Sequence, residues 1–183
     1  MYYKLIQNVL TDVECDEIIE HSLKNYNLED VVTTTDLKTY YVDYTFNKRR
    51  GVKFIDNELS NLQNKILKII NKERIFSGLI YDKISYFLFN EYKETDFLNY
   101  HNDGDEIKNR AATITVVIQL NDNYEGGEFL YKVDGVEYEV PKIKGSVFIF
   151  DSYMLHKVSP VKSGIRYSLN TWPKYTKLKN NLI

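Results

Sequence analysis

The chain has 183 residues, of which 43% are hydrophobic and 27% are charged, and this is typical of one compact globular domain. A formal net charge of -2, from 24 basic and 26 acidic residues, gives no general attraction to nucleic acid or to an anionic membrane. No apolar run approaches the roughly 20 residues of a membrane helix. The acidic, amphipathic start and the single cysteine, Cys15, lead us to expect a cytoplasmic protein without a secretion signal.

Two amphipathic helices are predicted in the first part of the chain. Thr11 and Glu14 match the Ser/Thr-x-x-Glu form of a capping box, which opens a helix. The predicted apolar face of this helix consists of Val13, Ile18, Ile19 and Leu23. Leucine and isoleucine recur at helical spacing over about 57–72, which predicts the second helix. Residues 31–52 lie between the helices without a clear period, and they are predicted as either strands or a long loop.

From residue 75 onward, short runs of β-branched and aromatic residues alternate with turn signals, a texture typical of a β-sandwich or barrel. The clearest predicted strands are 112–120, 127–133, 136–140, 146–150 and 165–172. Gly126 and Gly127 predict a tight turn with positive backbone dihedrals. No linker-like stretch divides the chain. We therefore expect one domain over 1–183, with a helical support region at 1–74 and a β core at 75–175.

Two of the three histidines lie where a metal site would need them. His101 and Asp103 are two residues apart, so in an extended segment both side chains point to one side. His156 follows a predicted apolar strand and could supply a third ligand from a distant part of the sheet. Two imidazoles and one carboxylate on one face of an octahedral ion leave three positions open, as in non-haem iron(II) oxygenases.

Arg166 begins an alternation with Ser168, Asn170 and Trp172 along one side of a predicted strand. A buried guanidinium that faces a metal needs an anion, and a dicarboxylate cosubstrate can supply one through paired hydrogen bonds.

Each of these residues also has a purely structural interpretation. Arg166 could be an exposed strand residue or part of an ion pair. The segment from His101 to Asp103 could be a surface turn, and His156 could be a polar residue at a strand end. The third histidine, His21, is predicted to lie on the solvated face of the first helix.

Residues 92–103, 110–129 and 156–169, in this order, resemble the prolyl 4-hydroxylase-like branch of the 2-oxoglutarate/iron(II)-dependent oxygenases. The resemblance implies a mainly β (α+β) fold, namely a double-stranded β-helix, or jelly roll, with N-terminal supporting helices. It also implies iron(II) as the metal and 2-oxoglutarate and O2 as cosubstrates. We add ascorbate as a candidate accessory reductant.

The resemblance further implies individual roles. His101, Asp103 and His156 would bind iron, and Arg166 would pair with the distal carboxylate of 2-oxoglutarate. The residues expected to line the cosubstrate pocket are Tyr92, Thr115, Gln119, Ser168, Asn170 and Trp172. Two positions depart from the family pattern: Gln119 stands where many prolyl hydroxylases have tyrosine, and Thr95 where glycine is common. Gln119 can still donate a hydrogen bond to the cosubstrate.

The resulting hypothesis is an oxidoreductase, a 2-oxoglutarate-dependent dioxygenase that hydroxylates an unactivated carbon. A prolyl residue of a peptide or protein is the first candidate substrate, and a small molecule such as a free amino acid is the second. A noncatalytic jelly-roll binding protein is the alternative from another class, and the complete ligand set argues against it.

Partners are predicted from the same features. Neither nucleic acid nor a membrane is expected, because the strand after Arg166 lacks a second arginine of the kind associated with nucleic-acid demethylases, and the charge is near neutral. Tyr40, Tyr41 and Tyr44 are interpreted either as a substrate-facing loop or as packing over the barrel.

Overall fold

The computed structural model describes residues 2–30, 47–55, 59–73, 79–104 and 114–177. Its helices are α1 (Asp12–Asn25) and α2 (Ser60–Glu73). Its strands are β1 (Tyr3–Ile6), β2 (Glu29–Asp30), β3 (Asn47–Lys48), β4 (Arg50–Ile55), β5 (Leu79–Lys83), β6 (Tyr86–Tyr92), β7 (Phe97–His101), β8 (Ile114–Gln119), β9 (Glu125–Gly126), β10 (Phe129–Val133), β11 (Val136–Glu139), β12 (Val147–Asp151), β13 (His156–Val158), β14 (Val161–Ser163), β15 (Arg166–Thr171) and β16 (Lys174–Lys177). Neither of these helices has the length and apolar character needed to cross a membrane.

Two antiparallel sheets dominate the described part of the chain. The larger has seven strands in the order β1-β12-β8-β15-β6-β4-β2, and the smaller has five in the order β11-β10-β13-β7-β3. Two short pairs, β14-β9 and β16-β5, accompany them. Apolar residues from both sheets meet in one cluster, so the sheets pack face to face in a jelly-roll sandwich.

The seven-stranded sheet has two different faces because successive side chains of a strand point in opposite directions. Its outer face is apolar, and Phe89, Ile118 and Leu169 share a core there with Ile66 and Ile70 of α2. Its inner face looks toward the five-stranded sheet, and the apolar part of the space between them contains Tyr92, Phe148, Phe150, Phe129 and Val158. The predicted site residues lie along this inner face.

The predicted elements are largely confirmed. Thr11 caps α1, and its side chain and that of Glu14 form the two reciprocal hydrogen bonds of the capping box. The second predicted helix is α2, and the five predicted strands correspond to β8, β10, β11, β12 and β15. Gly126 and Gly127 have the predicted positive φ, at 70° and 61°.

The predicted apolar face of α1 is partly wrong. Val13 and Leu23 are 64% and 44% exposed, whereas the buried residues of the helix are Cys15 and Ser22. Ser22 can be buried because its hydroxyl donates to the backbone oxygen of Ile18 at 2.6 Å. A polar residue satisfied within its own helix therefore occupies the core-facing side, and hydrophobicity alone placed that face incorrectly.

Residues before 75 supply strands as well as helices. β1 pairs with β12, β4 pairs with β6, and β3 pairs with β7. Part of the segment 31–52 is thus β3 and the start of β4, while Tyr40, Tyr41 and Tyr44 lie outside the described residues. The strands in this segment carry several Lys and Arg residues, so the apolar alternation that reveals a strand is weak there.

Thr95 has a φ of 70°, a left-handed conformation that favours glycine and is costly for a β-branched side chain. This is the position where the sequence departs from the family's common glycine. The hydroxyl of Thr95 accepts from Lys48 Nζ at 2.7 Å, and its backbone N–H donates to Val161 O at 2.9 Å. These contacts hold the turn that leads into β7.

Candidate active site

The structure brings His101, Asp103 and His156 together at one place between the sheets. One ligand atom from each residue lies within 4.8 Å of the others. His101 Nε2 is 3.5 Å from Asp103 Oδ1, and His156 Nε2 is 3.7 Å from Asp103 Oδ2. Three atoms this close can be ligands of one metal ion, and the set leaves part of an octahedral coordination sphere open.

The two histidines are oriented by the strands that carry them. His101 ends β7, His156 begins β13, and the two are register partners across the antiparallel pair. His101 Nδ1 lies 2.9 Å from the carbonyl oxygen of Asn99, and His156 Nδ1 lies 2.9 Å from that of Met154. Donation from Nδ1–H to a carbonyl fixes the tautomer and leaves Nε2 available to a metal.

Asp103 is held by the turn after β12 and by one side chain. The backbone N–H groups of Asp103 and Gly104 donate to Ser152 O at 2.8 and 2.9 Å. Thr115 Oγ1 donates to Asp103 Oδ2 at 2.6 Å. Thr115 was predicted to line the cosubstrate pocket, but the structure places its hydroxyl on the carboxylate of Asp103, where it orients a candidate ligand.

The charges in this cluster suit a cation. Burial acts to raise the pKa of Asp103, but the neighbouring His156 and His101 and the hydrogen bond from Thr115 outweigh it, so this pKa lies well below its usual range. Burial, then the neighbouring His101, lowers the pKa of His156 to about 4, and Arg49 contributes in the same direction. At neutral pH Asp103 is ionised and His156 is neutral, which are the forms that bind metals.

Arg166 lies on the inner face of the seven-stranded sheet and is 1% exposed. Its Nη1 donates to Ser168 Oγ at 3.0 Å, and its Nη2 donates to Gln119 Oε1 at 3.3 Å. Its guanidinium carbon is 5.2 Å from the centre of the Tyr92 ring. Nε has no hydrogen-bond partner among the described residues. A buried guanidinium without a carboxylate is costly, so this environment fits an anion such as a carboxylate.

Gln119 lines the cavity beside Arg166. Its Nε2 donates to Asn121 O at 2.6 Å and to the Tyr124 hydroxyl at 2.7 Å. These bonds fix the amide, and its oxygen accepts from Arg166. Tyr124 was not predicted as a site residue, although it lies in the segment 110–129 that carries the resemblance. Lys142 lies on the same side of the cavity beside Arg166, with Nζ 4.1 Å from the centre of the Tyr124 ring.

Unpartnered polar atoms are concentrated along the inner face. Within the described ranges, six buried side-chain nitrogen or oxygen atoms have no hydrogen-bond partner. Four of them belong to the alternating inner-face residues, namely Arg49 Nη1, Arg166 Nε, Asn170 Oδ1 and Trp172 Nε1. Such atoms are rare in a finished core, so their clustering indicates a ligand pocket. Asn170 and Trp172 were predicted to line it, whereas Arg49 was not.

The chain is similar to known proteins in this region. Residues 87–174 match the family model described as 2OG-Fe(II) oxygenase superfamily. A PKHD-type hydroxylase of Alteromonas mediterranea is 30% identical over 126 residues, which cover 64% of this chain and 56% of that protein. The chain thus spans little more than half the length of this relative.

Solved structures confirm the predicted double-stranded β-helix. A prolyl-4-hydroxylase of Pseudomonas putida superposes with a TM-score of 0.70 at 18% identity, covering 97% of this chain and 93% of that one. A prolyl hydroxylase of Trichoplax adhaerens, in complex with a peptide fragment of the hypoxia inducible factor oxygen degradation domain, gives a TM-score of 0.75 at 14% identity and covers 94% and 83%. Residues 87–174, which include all three candidate metal ligands and Arg166, are thus similar to the 2OG-Fe(II) oxygenase superfamily, and the solved structures show that the chain has the same fold as these prolyl hydroxylases.

Proposed function

We propose that the chain is an iron(II)- and 2-oxoglutarate-dependent dioxygenase that hydroxylates an unactivated carbon. The observation that supports this most strongly is the placement of two groups along one inner-face strand, β8: Thr115 contacts Asp103 of the cluster with His101 and His156, and Gln119 contacts the buried Arg166, which forms no ion pair with any described residue. Two imidazoles and one carboxylate are a ligand set suited to iron(II) that leaves positions open for a chelating cosubstrate and O2.

Each group has a defined task in this proposal. The two histidines and Asp103 would hold iron, and Arg166 would bind the distal carboxylate of 2-oxoglutarate while Ser168 and Gln119 keep its guanidinium in place. Tyr92 covers that guanidinium. When bound, iron(II) and 2-oxoglutarate supply the oxidising chemistry, in which O2 converts 2-oxoglutarate to succinate and carbon dioxide and provides the oxygen atom of the product hydroxyl. Ascorbate would keep the metal reduced.

A prolyl residue of a peptide or protein is the first candidate substrate. Support comes from the names of the matched proteins, which are a PKHD-type hydroxylase and prolyl hydroxylases, one of them bound to a peptide. A small molecule such as a free amino acid is the second candidate.

Two further parts of the proposal concern organisation and location. The chain would be one domain, because strands from before and after residue 75 pair in the same sheets. It would work in the cytoplasm. Cys15, the single cysteine, is a buried free thiol whose pKa is raised by burial to about 11, which suits a reducing compartment.

The test is succinate formation from 2-oxoglutarate by protein reconstituted with iron(II) under nitrogen and then given ascorbate and air. We expect turnover that requires iron and rises when a pool of proline-containing peptides is added. Turnover that ignores the peptides would keep the reaction class and move the substrate to small molecules. Stoichiometric iron binding without any turnover would overturn the proposal in favour of a noncatalytic binding protein.

A further inference from the structure

Arg49 is a second buried arginine on the inner face of the seven-stranded sheet. It lies between β3 and β4 and is 8% exposed. Its Nε donates to Asn90 Oδ1 at 3.1 Å, and the amide of Asn90 is itself fixed by donation to Leu88 O. Arg49 Nη1 has no hydrogen-bond partner, and the side chain forms no ion pair with any residue the structure describes. A buried guanidinium without a neighbouring anion is costly in free energy.

The position of Arg49 follows from the register of the seven-stranded sheet. Arg50 is opposite Glu91 on β6, and Tyr92 is opposite Arg166 on β15. The next step along β4 therefore puts Arg49 in one row with Tyr92 and Arg166. Both guanidinium carbons lie near the Tyr92 ring, at 5.9 Å for Arg49 and 5.2 Å for Arg166. Arg49 thus lies on the inner face that also carries Thr115, whose hydroxyl contacts the candidate ligand Asp103.

The charges expected in the loaded site leave Arg49 unbalanced. The two positive charges of iron(II) and that of Arg166 equal the negative charges of Asp103 and of the two carboxylates of 2-oxoglutarate. Lys142 and Glu128, which line the cavity beside Arg166, offset each other. Arg49 then remains as one buried positive charge in the row of Tyr92 and Arg166. A single carboxylate neutralises a guanidinium and fits its planar pair of N–H donors.

We propose that Arg49 binds a carboxylate of the substrate and thereby places the neighbouring carbon at the metal. This inference rests on the proposed function and specifies its substrate class, which is a carboxylic acid. The carboxylate can be the free one of an amino acid or an acidic side chain next to the target residue in a peptide. A wholly neutral peptide would leave Arg49 without a partner.

The chain offers a matched control for Arg49 at the next position. Arg50 has the same side chain but lies on the outer face, where its Nε donates to Glu91 Oε1 at 3.0 Å. The partner of Arg50 is therefore Glu91 on the outer face, and not a group on the inner face. Arg49→Gln and Arg50→Gln remove one positive charge from adjacent residues on opposite faces. Arg49→Lys keeps the charge and supplies a second variant if the glutamine variant folds poorly.

The experiment measures binding without turnover. Full-length protein with zinc(II) and 2-oxoglutarate is titrated under nitrogen, and the fluorescence of Trp172, the single tryptophan, reports binding in the pocket. The probes are two pairs that differ in one carboxylate: L-proline against L-prolinamide, and acetyl-Asp-Pro-amide against acetyl-Asn-Pro-amide. The first pair tests a free amino acid and the second an acidic peptide.

We expect at least one acid to bind wild type more tightly than its amide, by about 10- to 100-fold for a charge-assisted pair. Arg49→Gln should lose this preference, Arg49→Lys should retain part of it, and Arg50→Gln should keep it whole. Equal binding of acids and amides, or an unchanged preference in Arg49→Gln, would overturn the inference. The inference would also be overturned if Arg49→Gln weakened the binding of 2-oxoglutarate instead, since Arg49 would then belong to the cosubstrate site.

The binding of 2-oxoglutarate alone distinguishes a failure of the role of Arg49 from a failure of the dioxygenase proposal. Wild-type protein that binds 2-oxoglutarate but shows no preference for acids contradicts the role of Arg49 and leaves the dioxygenase proposal intact. Wild-type protein with metal but without affinity for 2-oxoglutarate contradicts both.

Discussion

The two faces of the seven-stranded sheet come from the same strands but differ in whether their buried polar atoms have hydrogen-bond partners. On the outer face, Phe89, Ile118 and Leu169 are fully buried in the core formed with the helices. On the inner face, Arg49 and Arg166 are buried with unpartnered nitrogens. Because successive side chains of a strand point to opposite faces, one face packs against the helices in an apolar core. The other face combines apolar residues with buried polar atoms that have no partner among the described residues.

This division predicts that substitutions of neighbouring residues separate stability from binding. Removing a group from the inner face should cost ligand affinity or turnover more than it costs folding. Removing apolar volume from the outer face should do the reverse. The following predictions test the division, beginning with the largest effect.

Replacement of His156 by alanine should abolish turnover of 2-oxoglutarate, because one of the three candidate ligand atoms is lost. The ring also packs on Phe129 and Phe150, so the melting temperature should fall, but the far-ultraviolet circular dichroism should stay that of a folded chain. Iron binding by calorimetry and succinate formation are the measurements. His21→Ala, which changes an exposed residue of α1, is the control, and retained turnover in His156→Ala would remove His156 from the metal site.

Ser168 and Leu169 are adjacent residues of β15 on opposite faces, and they offer the sharpest comparison. Leu169→Ala should lower the free energy of unfolding by about 2–5 kcal/mol, since it leaves a cavity in the core, and should leave the affinity for 2-oxoglutarate within about twofold. Ser168→Ala should cost only about 1 kcal/mol of stability. It should weaken the binding of 2-oxoglutarate several-fold because Arg166 loses the hydroxyl to which it donates a hydrogen bond.

Denaturant unfolding and 2-oxoglutarate titration of the metal-loaded protein measure the two quantities for both variants. The division between faces fails if Ser168→Ala destabilises the chain as much as Leu169→Ala does. The division also fails if Leu169→Ala weakens the binding of 2-oxoglutarate as strongly as Ser168→Ala does.

Alternation and spacing predicted much of this arrangement. The strand that carries Arg166 and Ser168 was predicted with those residues on one side, because polar and apolar residues alternate from Arg166 to Asn170. His101 and Asp103 were placed on one side because they are two residues apart, and His156 was expected to complete the set from a distant strand. In the structure that strand, β13, is paired with β7. These features depend on local period and on residue chemistry, and both can be read from a sequence.

The remaining parts of the site depend on register and on side-chain partners, which local patterns do not encode. Arg49 reaches the pocket only because β4 is paired in one register with β6, in a segment without apolar alternation. Gln119 was expected at the cosubstrate from the resemblance, and its hydrogen bonds to Asn121 O and to the Tyr124 hydroxyl were not predicted. The hydrogen bond from Thr115 to Asp103 joins a strand to a residue twelve positions earlier in the chain, and a local pattern does not predict such a contact.

Thr115 provides the smallest predicted effect and tests whether the inner face includes groups that act through a ligand. Thr115→Val keeps the shape of the side chain but removes the hydroxyl that donates to Asp103 Oδ2. A carboxylate that loses such a partner is oriented less firmly, so iron affinity should fall by about tenfold, within the range found for residues that support metal ligands. Thr115→Ser keeps the donor and should bind iron within about twofold of wild type. Equal iron affinity in all three proteins would show that Thr115 only fills space, because then the fixed position of Asp103 would come from its backbone bond to Ser152 alone.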